Sequence, residues 1–354
     1  MIYINGRFLT QPITGVGRFA LEICRSLQNQ GVKFTVLVPA KYKEVLDHSY
    51  GLDIKFVGRG DSHIWEQIFL WLFLLKHSGS LLISFSGLGP VFYKNKILTI
   101  HDLSFFHEPK WFSKAYYTFY TFFTPIAAHH SKHILTVSEF SKAEIIKYLN
   151  VKPNQITVVY NGNSFTEGEQ STSSRERRYI LGVSSLDPRK NHAVLLQAFE
   201  LISEKVDMDL ILVGKAEQHF NFNLDINKRD TSRVHFTGYI SDEKLKDLYK
   251  NATLFVYPSL YEGFGIPPLE AIFYRCPVLI SDIPVFNEIF QQSATYFNPN
   301  SVADLENKLL YCLDNRESIA LSEVSRADIL DKYSWDKSAL IIIKLLASEN
   351  ITND

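Results

Sequence analysis

Three observations predict an α/β chain built from two parallel-sheet domains in tandem. Short apolar, β-rich runs alternate with helical patterns along almost the whole chain, as when strands are joined by crossover helices. The alternation breaks once, in the polar stretch NGNSFTEGEQSTSSRERR at Asn161–Arg178, which has little to bury and reads as an interdomain linker. The 354 residues correspond to about two domains at roughly 150 residues each.

The elements follow in order. Before the break, strands are expected at Ile2–Asn5, Phe34–Val38, Ile54–Val57, Leu81–Ser84, Ile97–Ile100, Ile134–Val137 and Thr157–Tyr160. Helices between them are expected at Val16–Gln28, Ile64–Lys76, Trp111–Ala128 and Ser141–Leu149. After it, strands are expected at Tyr179–Val183, Leu210–Val213, Val234–Thr237, Leu254–Val256 and Val278–Ile280. Helices at Ala193–Ser203, Asp242–Lys250, Pro268–Tyr274, Val302–Leu313 and Ser334–Ala347 interleave with these. The reading is two Rossmann-like doubly wound domains, residues 1–165 and 166–354, with the last helix able to pack back on the first domain.

Composition narrows the function. With 37 Lys+Arg against 38 Asp+Glu, the chain lacks the basic excess that nucleic-acid binding requires. The three cysteines, Cys24, Cys276 and Cys312, are far apart and show neither disulfide nor zinc spacing, which points to a reducing, cytoplasmic setting. The start, MIYINGRFLT, has no basic segment leading into an apolar core, so no signal peptide is expected. The longest apolar run, Ile68–Leu75, falls short of the ~20 residues of a membrane span. Residues 1–165 hold 17 basic and 10 acidic side chains, a balance of +7, and 166–354 hold 20 and 28, a balance of −8. The front half also carries the aromatic run WFSKAYYTFYTFF, Trp111–Phe123. That run fits either a core helix or, with the positive charge, peripheral contact of the first domain with an anionic membrane.

Open parallel sheets bind ligands at the carboxyl ends of their strands, which sorts the polar residues. Directly after the strand LFV comes Tyr257-Pro-Ser-Leu-Tyr-Glu262-Gly263-Phe264-Gly265-Ile266-Pro-Pro-Leu-Glu270. The two glycines allow close backbone approach, and the prolines suit the first turn of a helix whose amino end holds a phosphate. Glu262 and Glu270 would repel phosphate but bind sugar hydroxyls well, a pairing that suits a nucleotide sugar. Taken alone, Glu270 also reads as a first-turn acid that complements the helix dipole. After the strand YILGV comes Ser184-Ser-Leu-Asp-Pro-Arg189-Lys190-Asn, whose two cations can neutralise a leaving diphosphate without a metal. In the first half, His101-Asp102 follows ILTI, and Thr14-Gly15-Val-Gly17-Arg opens a helix.

These strings resemble the retaining glycosyltransferases of the large family 4, whose GT-B fold sets two Rossmann-like domains facing a cleft. The signature is two glutamates separated by seven residues, here Glu262 and Glu270. TLFVYPSLYEGFGIPPLEAI, VSSLDPRKNHAVLLQAF, TIHDLSFFHEP, TVSEFSK and VVYNGN carry the likeness from Gly15 to about Asn298. The resemblance implies an acceptor domain followed by a donor domain. Glu270 would hold the nucleotide ribose and Glu262 the donor sugar; Arg189 and Lys190 would hold the diphosphate. Gly238 and Tyr239 would lie near the base, and Gly15 and Gly17 where donor phosphate and acceptor approach. It further implies that His101 contacts the donor sugar, with Asp102 as its orienting partner or an acceptor contact. One position departs from the pattern: many members carry Arg where this chain has Ser184.

The implied reaction is metal-independent transfer of a hexosyl group, with retention, from a nucleoside diphosphate sugar to a glycan or lipid-linked oligosaccharide. No cofactor and no metal are expected. Strings such as HDLSFF resemble mannosyl- and rhamnosyltransferases of bacterial surface polysaccharide (O-antigen, lipopolysaccharide) assembly, which suggests GDP-mannose. A catalytically silent nucleotide-sugar binding protein and a sugar-nucleotide 2-epimerase remain as alternatives. A dinucleotide oxidoreductase lacks its Gly-x-Gly-x-x-Gly and following acid here. Asp207-Met-Asp209 precedes a strand, away from the ligand edge, and reads as a surface turn; His129, His130 and His133 lack metal-site partners.

Overall fold

The computed structural model describes residues 1–12, 14–46, 50–165, 178–215 and 232–348. Residues 166–177 of the expected linker lie outside them. Among the described residues are two all-parallel sheets. The first is built from β1 (Ile2–Asn5), β2 (Thr35–Pro39), β3 (Ile54–Val57), β4 (Leu81–Ser84), β5 (Lys96–Thr99), β6 (His133–Thr136) and β7 (Ile156–Val158). The second uses β8 (Arg178–Val183), β9 (Met208–Val213), β10 (Val234–Gly238), β11 (Leu254–Tyr257), β12 (Val278–Ser281) and β13 (Thr295–Phe297).

The strand orders are β3-β2-β1-β4-β5-β6-β7 and β10-β9-β8-β11-β12-β13. Each sheet starts at its middle and reverses there. Tyr3 pairs with Thr35 on one side and Leu82 on the other, and Ile180 lies between Leu210 and Leu254. These reversals, β1/β4 and β8/β11, are topological switch points, where strand ends leave a crevice for a ligand. The strands read as nearly continuous apolar runs because helices cover both faces. In the second sheet Ile180, Leu210, Leu212, Leu254, Val256 and Leu279 pack against Leu195, Phe199, Ile202, Leu305 and Leu309 of helices His192–Ile202 and Val302–Asp314. In the first, Tyr3, Leu37, Val57 and Leu82 pack against Trp65, Leu70 and Leu74.

The backbone divides into two compact units. One comprises Met1–Phe106, Thr118–Ser164 and Tyr333–Asp354; the other comprises His107–Tyr117 and Phe165–Lys332. Two segments cross a cut at 165/166, each with a packing cause: the last helix, whose return to the first domain the sequence allows for, and His107–Tyr117, whose crossing it does not. The helix Trp335–Ser348 lies on the helix Gly15–Asn29 of the first unit. There the Trp335 ring meets Phe19 edge-on at 5.9 Å, Trp335 Nε1 donates to Ser164 Oγ at 3.1 Å, and Ser338 Oγ donates to the Tyr160 carbonyl at 2.6 Å. The segment His107–Tyr117 belongs to the second unit, where His107 and Trp111 gather round Tyr261, at 5.0 and 6.5 Å between ring centroids. Asn161–Phe165 is therefore no loose linker: Gly162 backs onto Trp335, and Phe165 packs on Tyr274.

The aromatic run forms a short 3-10 turn and then the helix Lys114–His129, its rings mostly half-buried. β13 and the short helices Ser104–His107, Pro284–Phe290 and Glu323–Lys332 add to the predicted elements. Among the described residues, no helix is long and apolar enough to cross a membrane.

Candidate functional site

In the second unit, the two loops that leave β8 and β11 meet at the switch point. The β8 loop is shaped by Asp187, a buried carboxylate that accepts from Ser185 Oγ at 2.7 Å and from the Arg189 amide at 3.1 Å, capping the single turn Pro188–Lys190. The Leu260 amide donates to the Arg189 carbonyl at 2.8 Å, which joins the two loops. Across this junction Lys190 Nζ donates to Glu262 Oε1 at 2.5 Å and to the Tyr257 hydroxyl at 3.1 Å. Both partners of the ion pair are buried. Burial alone would raise the Glu262 pKa; the charges of Lys190 and Arg189 more than offset it and hold the carboxyl below its ordinary range.

The glycine loop then turns into the helix Ile266–Phe273. Gly265 takes φ +106°, and a Cβ there would stand 2.8 Å from the buried Phe286 ring. Ile266 is the first helical residue, and Pro267 and Pro268 follow without amide hydrogens. The two prolines thus take two amide donors out of the helix's first turn. Glu270, one turn in, is buried and accepts from the Tyr249 hydroxyl at 2.9 Å. Burial, with Glu270 next, pushes the Tyr249 phenol well above its ordinary pKa, so it remains a donor.

Ser184 is held by a residue the sequence did not single out. Its Oγ lies 2.8 Å from Nε2 of buried His192, whose pKa burial carries down to about 4. Gly214, at the end of β9, has φ +148° and approaches so closely that a Cβ would lie 1.8 Å from the Ser184 carbonyl oxygen. Gly238 and Tyr239 lie at the end of edge strand β10: the Gly238 carbonyl accepts from the Gly214 amide, which ties it to the group around Ser184, and Tyr239 is 69% exposed.

In the first unit, His101 follows β5. Its Nε2 lies 2.9 Å from the Phe85 carbonyl oxygen, so Nε2 carries the hydrogen and Nδ1 is the acceptor of the neutral ring. Burial lowers its pKa against the opposing pull of the Phe85 carbonyl and Asp102, and the neutral ring is favoured. Phe19, from the helix Gly15–Asn29, stands edge-on to it at 4.9 Å. Asp102 Oδ1 accepts from the amide and hydroxyl of Ser104, at 3.0 and 2.7 Å, at the start of the short helix Ser104–His107. Gly15 and Gly17 sit inside the first turn of their helix. A second polar cluster lies at the end of β1: buried Glu66 accepts from Asn5 at 2.7 Å and pairs with Arg7 at 2.7 Å. Nothing in the local sequence marks it, because its members lie about sixty residues apart. Asp209 lies in β9 with His235 3.1 Å away. Among the described residues, no three His, Cys, Asp or Glu side chains are grouped to hold a metal.

Residues 13–164 match the family described as Glycosyltransferase Family 4, and residues 164–326 the family described as Glycosyl transferases group 1. The chain is similar to the O-antigen chain mannosyltransferase RfbU of Salmonella typhimurium, 31% identical over 243 residues that cover 67% of each chain. It is also similar to an Escherichia coli O-antigen chain mannosyltransferase B, 26% identical across 92% of this chain and 93% of that one. Among solved structures, a sucrose-phosphate synthase from Thermosynechococcus elongatus superposes with a TM-score of 0.77 at 16% identity over 99% of both chains. Anabaena HepE in complex with UDP and glucose gives 0.73 at 15% identity, over 98% of this chain and 99% of that one.

Proposed function

The chain belongs to the group 1, family 4 glycosyltransferases, and from that membership we propose that it transfers a mannosyl group, with retention, from GDP-mannose to a glycan or lipid-linked oligosaccharide of O-antigen type. The observation that carries the reading is the buried Lys190–Glu262 pair at the β8/β11 switch point, with Glu270 one helical turn beyond the glycine loop. The choice of mannose and of O-antigen leans on the two similar mannosyltransferases.

In this reading the acceptor hydroxyl attacks the anomeric carbon on the face from which the diphosphate departs. The bond to the diphosphate oxygen breaks, and that oxygen takes the acceptor proton. Arg189, Lys190 and the loop amides stabilise the departing charge, so the step calls for no metal. Glu262, its charge balanced by Lys190, serves as an acceptor for sugar hydroxyls rather than as a nucleophile. Glu270 accepts from the ribose, with the Tyr249 hydroxyl fixing its carboxylate. His101, neutral and with Nε2 engaged, accepts a sugar hydroxyl through Nδ1.

A thermal-shift series with GDP, UDP, dTDP, ADP and NAD, without metal, tests the reading. A ligand at 100 times its Kd stabilises by about 2.7 kcal/mol. GDP is expected to give the largest shift, and the Glu270→Ala variant to lose it. A shift with NAD alone would overturn the reading. A GDP shift without sugar transfer from GDP-mannose would favour a silent binding protein, the alternative that Ser184 in place of Arg raises.

A further inference from the structure

We propose that Tyr257 is a positioning residue for Lys190: its hydroxyl fixes the direction in which the ammonium offers its remaining N–H to the donor's diphosphate. Tyr257 is the last residue of β11, in register with Ile280 of β12. It is buried, and its ring packs on Phe286 at 5.8 Å and on Phe255 at 6.0 Å between centroids. That packing asks only for a ring, so phenylalanine would serve. A hydroxyl placed there costs free energy unless it is bonded, and this one accepts from Lys190 Nζ at 3.1 Å. Burial first, and the neighbouring Glu262 carboxylate next, push the phenol well above its ordinary pKa, so the acceptor stays a neutral hydroxyl.

The donors of Lys190 give that contact its meaning. A lysine ammonium carries three N–H groups in a tetrahedral array. Among the described residues, Lys190 gives one to Glu262 Oε1 at 2.5 Å and one to Tyr257. Two bonds to fixed partners settle the rotation of the ammonium, and with it the direction of the third N–H. Held by Glu262 alone, the ammonium would turn about that single bond, and its long, flexible stem would let it swing. Tyr257, anchored on a central strand by its packed ring, removes that freedom. It does so without charge: a second carboxylate would cancel more of the cation that a departing diphosphate needs, and a neutral oxygen does not. The inference rests on the reading that Lys190 meets the diphosphate, and adds the residue that aims it.

The test is Tyr257→Phe in the full chain, read by calorimetric titration with GDP and with guanosine. GDP is expected to bind about ten-fold more weakly and guanosine as before, because only the diphosphate meets Lys190. In a Lys190→Ala background the same substitution should cost nothing further, the mark of a residue that acts through Lys190. Lys190→Met takes the place of that background if the alanine variant fails to fold. Equal weakening of GDP and guanosine, unchanged GDP binding, or the full penalty in the absence of Lys190 overturns the proposal. So does a Tyr257→Phe chain that fails to fold, since the hydroxyl would then be structural. A parent chain that binds UDP rather than GDP corrects the donor alone, and UDP and uridine then make the same comparison. A parent chain that binds neither overturns the proposal together with the reading beneath it.

Discussion

Lys190 and Glu262 answer each other in a buried setting, and removing either leaves a charge with little water to replace its partner. Lys190→Ala is expected to lower turnover by about 10²–10³, as loss of one transition-state charge stabiliser does. Because it also strands Glu262, the melting temperature must be measured beside kcat, and a folded variant with near-normal kcat would remove Lys190 from the mechanism. His192 makes a second prediction. Unfolded, it titrates near its ordinary 6.5; folded, near 4. Between those values the unfolded chain takes up a proton that the folded chain refuses, so stability is full above pH 6.5 and falls as pH drops towards 4. The loss amounts to up to roughly 3 kcal/mol. Denaturant midpoints at neutral and mildly acidic pH should show this slope, and His192→Gln should flatten it in part; the depressed pKa of His101 acts with the same sign. Glu262, Glu270 and Lys190 were legible in the sequence because their chemistry is written in local spacing. His192 and Tyr249 were not: each matters through a contact, to Ser184 or Glu270, that exists only once strands and helices are placed.

At the scale of elements, the loop after β11 is the most constrained. Gly265→Ala meets both a positive φ and the Phe286 ring, which is buried and has nowhere to retreat. A loss of about 1–3 kcal/mol is expected, visible as a lower melting temperature, together with weaker nucleotide binding. A thermally neutral Gly265→Ala would mean that the loop relaxes more readily than its contacts imply. The longer strands could be read from their apolar runs, since burial on both faces leaves few polar residues in them. β13 is three residues long and too short to show a period, and Asn161–Phe165 looked like linker because its partners lie elsewhere: Trp335 in the last described helix, and Tyr274. The aromatic run between Trp111 and Phe123 looked suited to membrane or core, and its rings are mostly half-buried; the more exposed apolar stripe is on Ser62–Lys76.

For the molecule as a whole, the chain passes between its two units at four points, near residues 106, 117, 164 and 332. Ending the chain at residue 332 removes the helix Trp335–Ser348 from the helix Gly15–Asn29, and with it the buried side chains of Trp335, Ala339, Ile342 and Leu346. At about 1.5–3 kcal/mol for each large buried apolar side chain, the loss rivals the ~5–15 kcal/mol stability of a typical domain. The truncated chain is therefore expected to lose the first unit's thermal transition and keep the second's. A single transition unchanged from the full chain would show that the last helix contributes little.

The same threading separates the order of synthesis from the order of completion. The unit that begins to emerge first needs a segment made after Tyr333, whereas the second unit has all its parts by Lys332. At about 5–20 residues per second, the first unit waits tens of seconds after Ser164 for its closing helix. Through that interval the helix Gly15–Asn29 lacks its partner and Phe19 lacks the Trp335 ring, so a nascent chain stalled before Tyr333 would present a sticky helix to any holdase within reach.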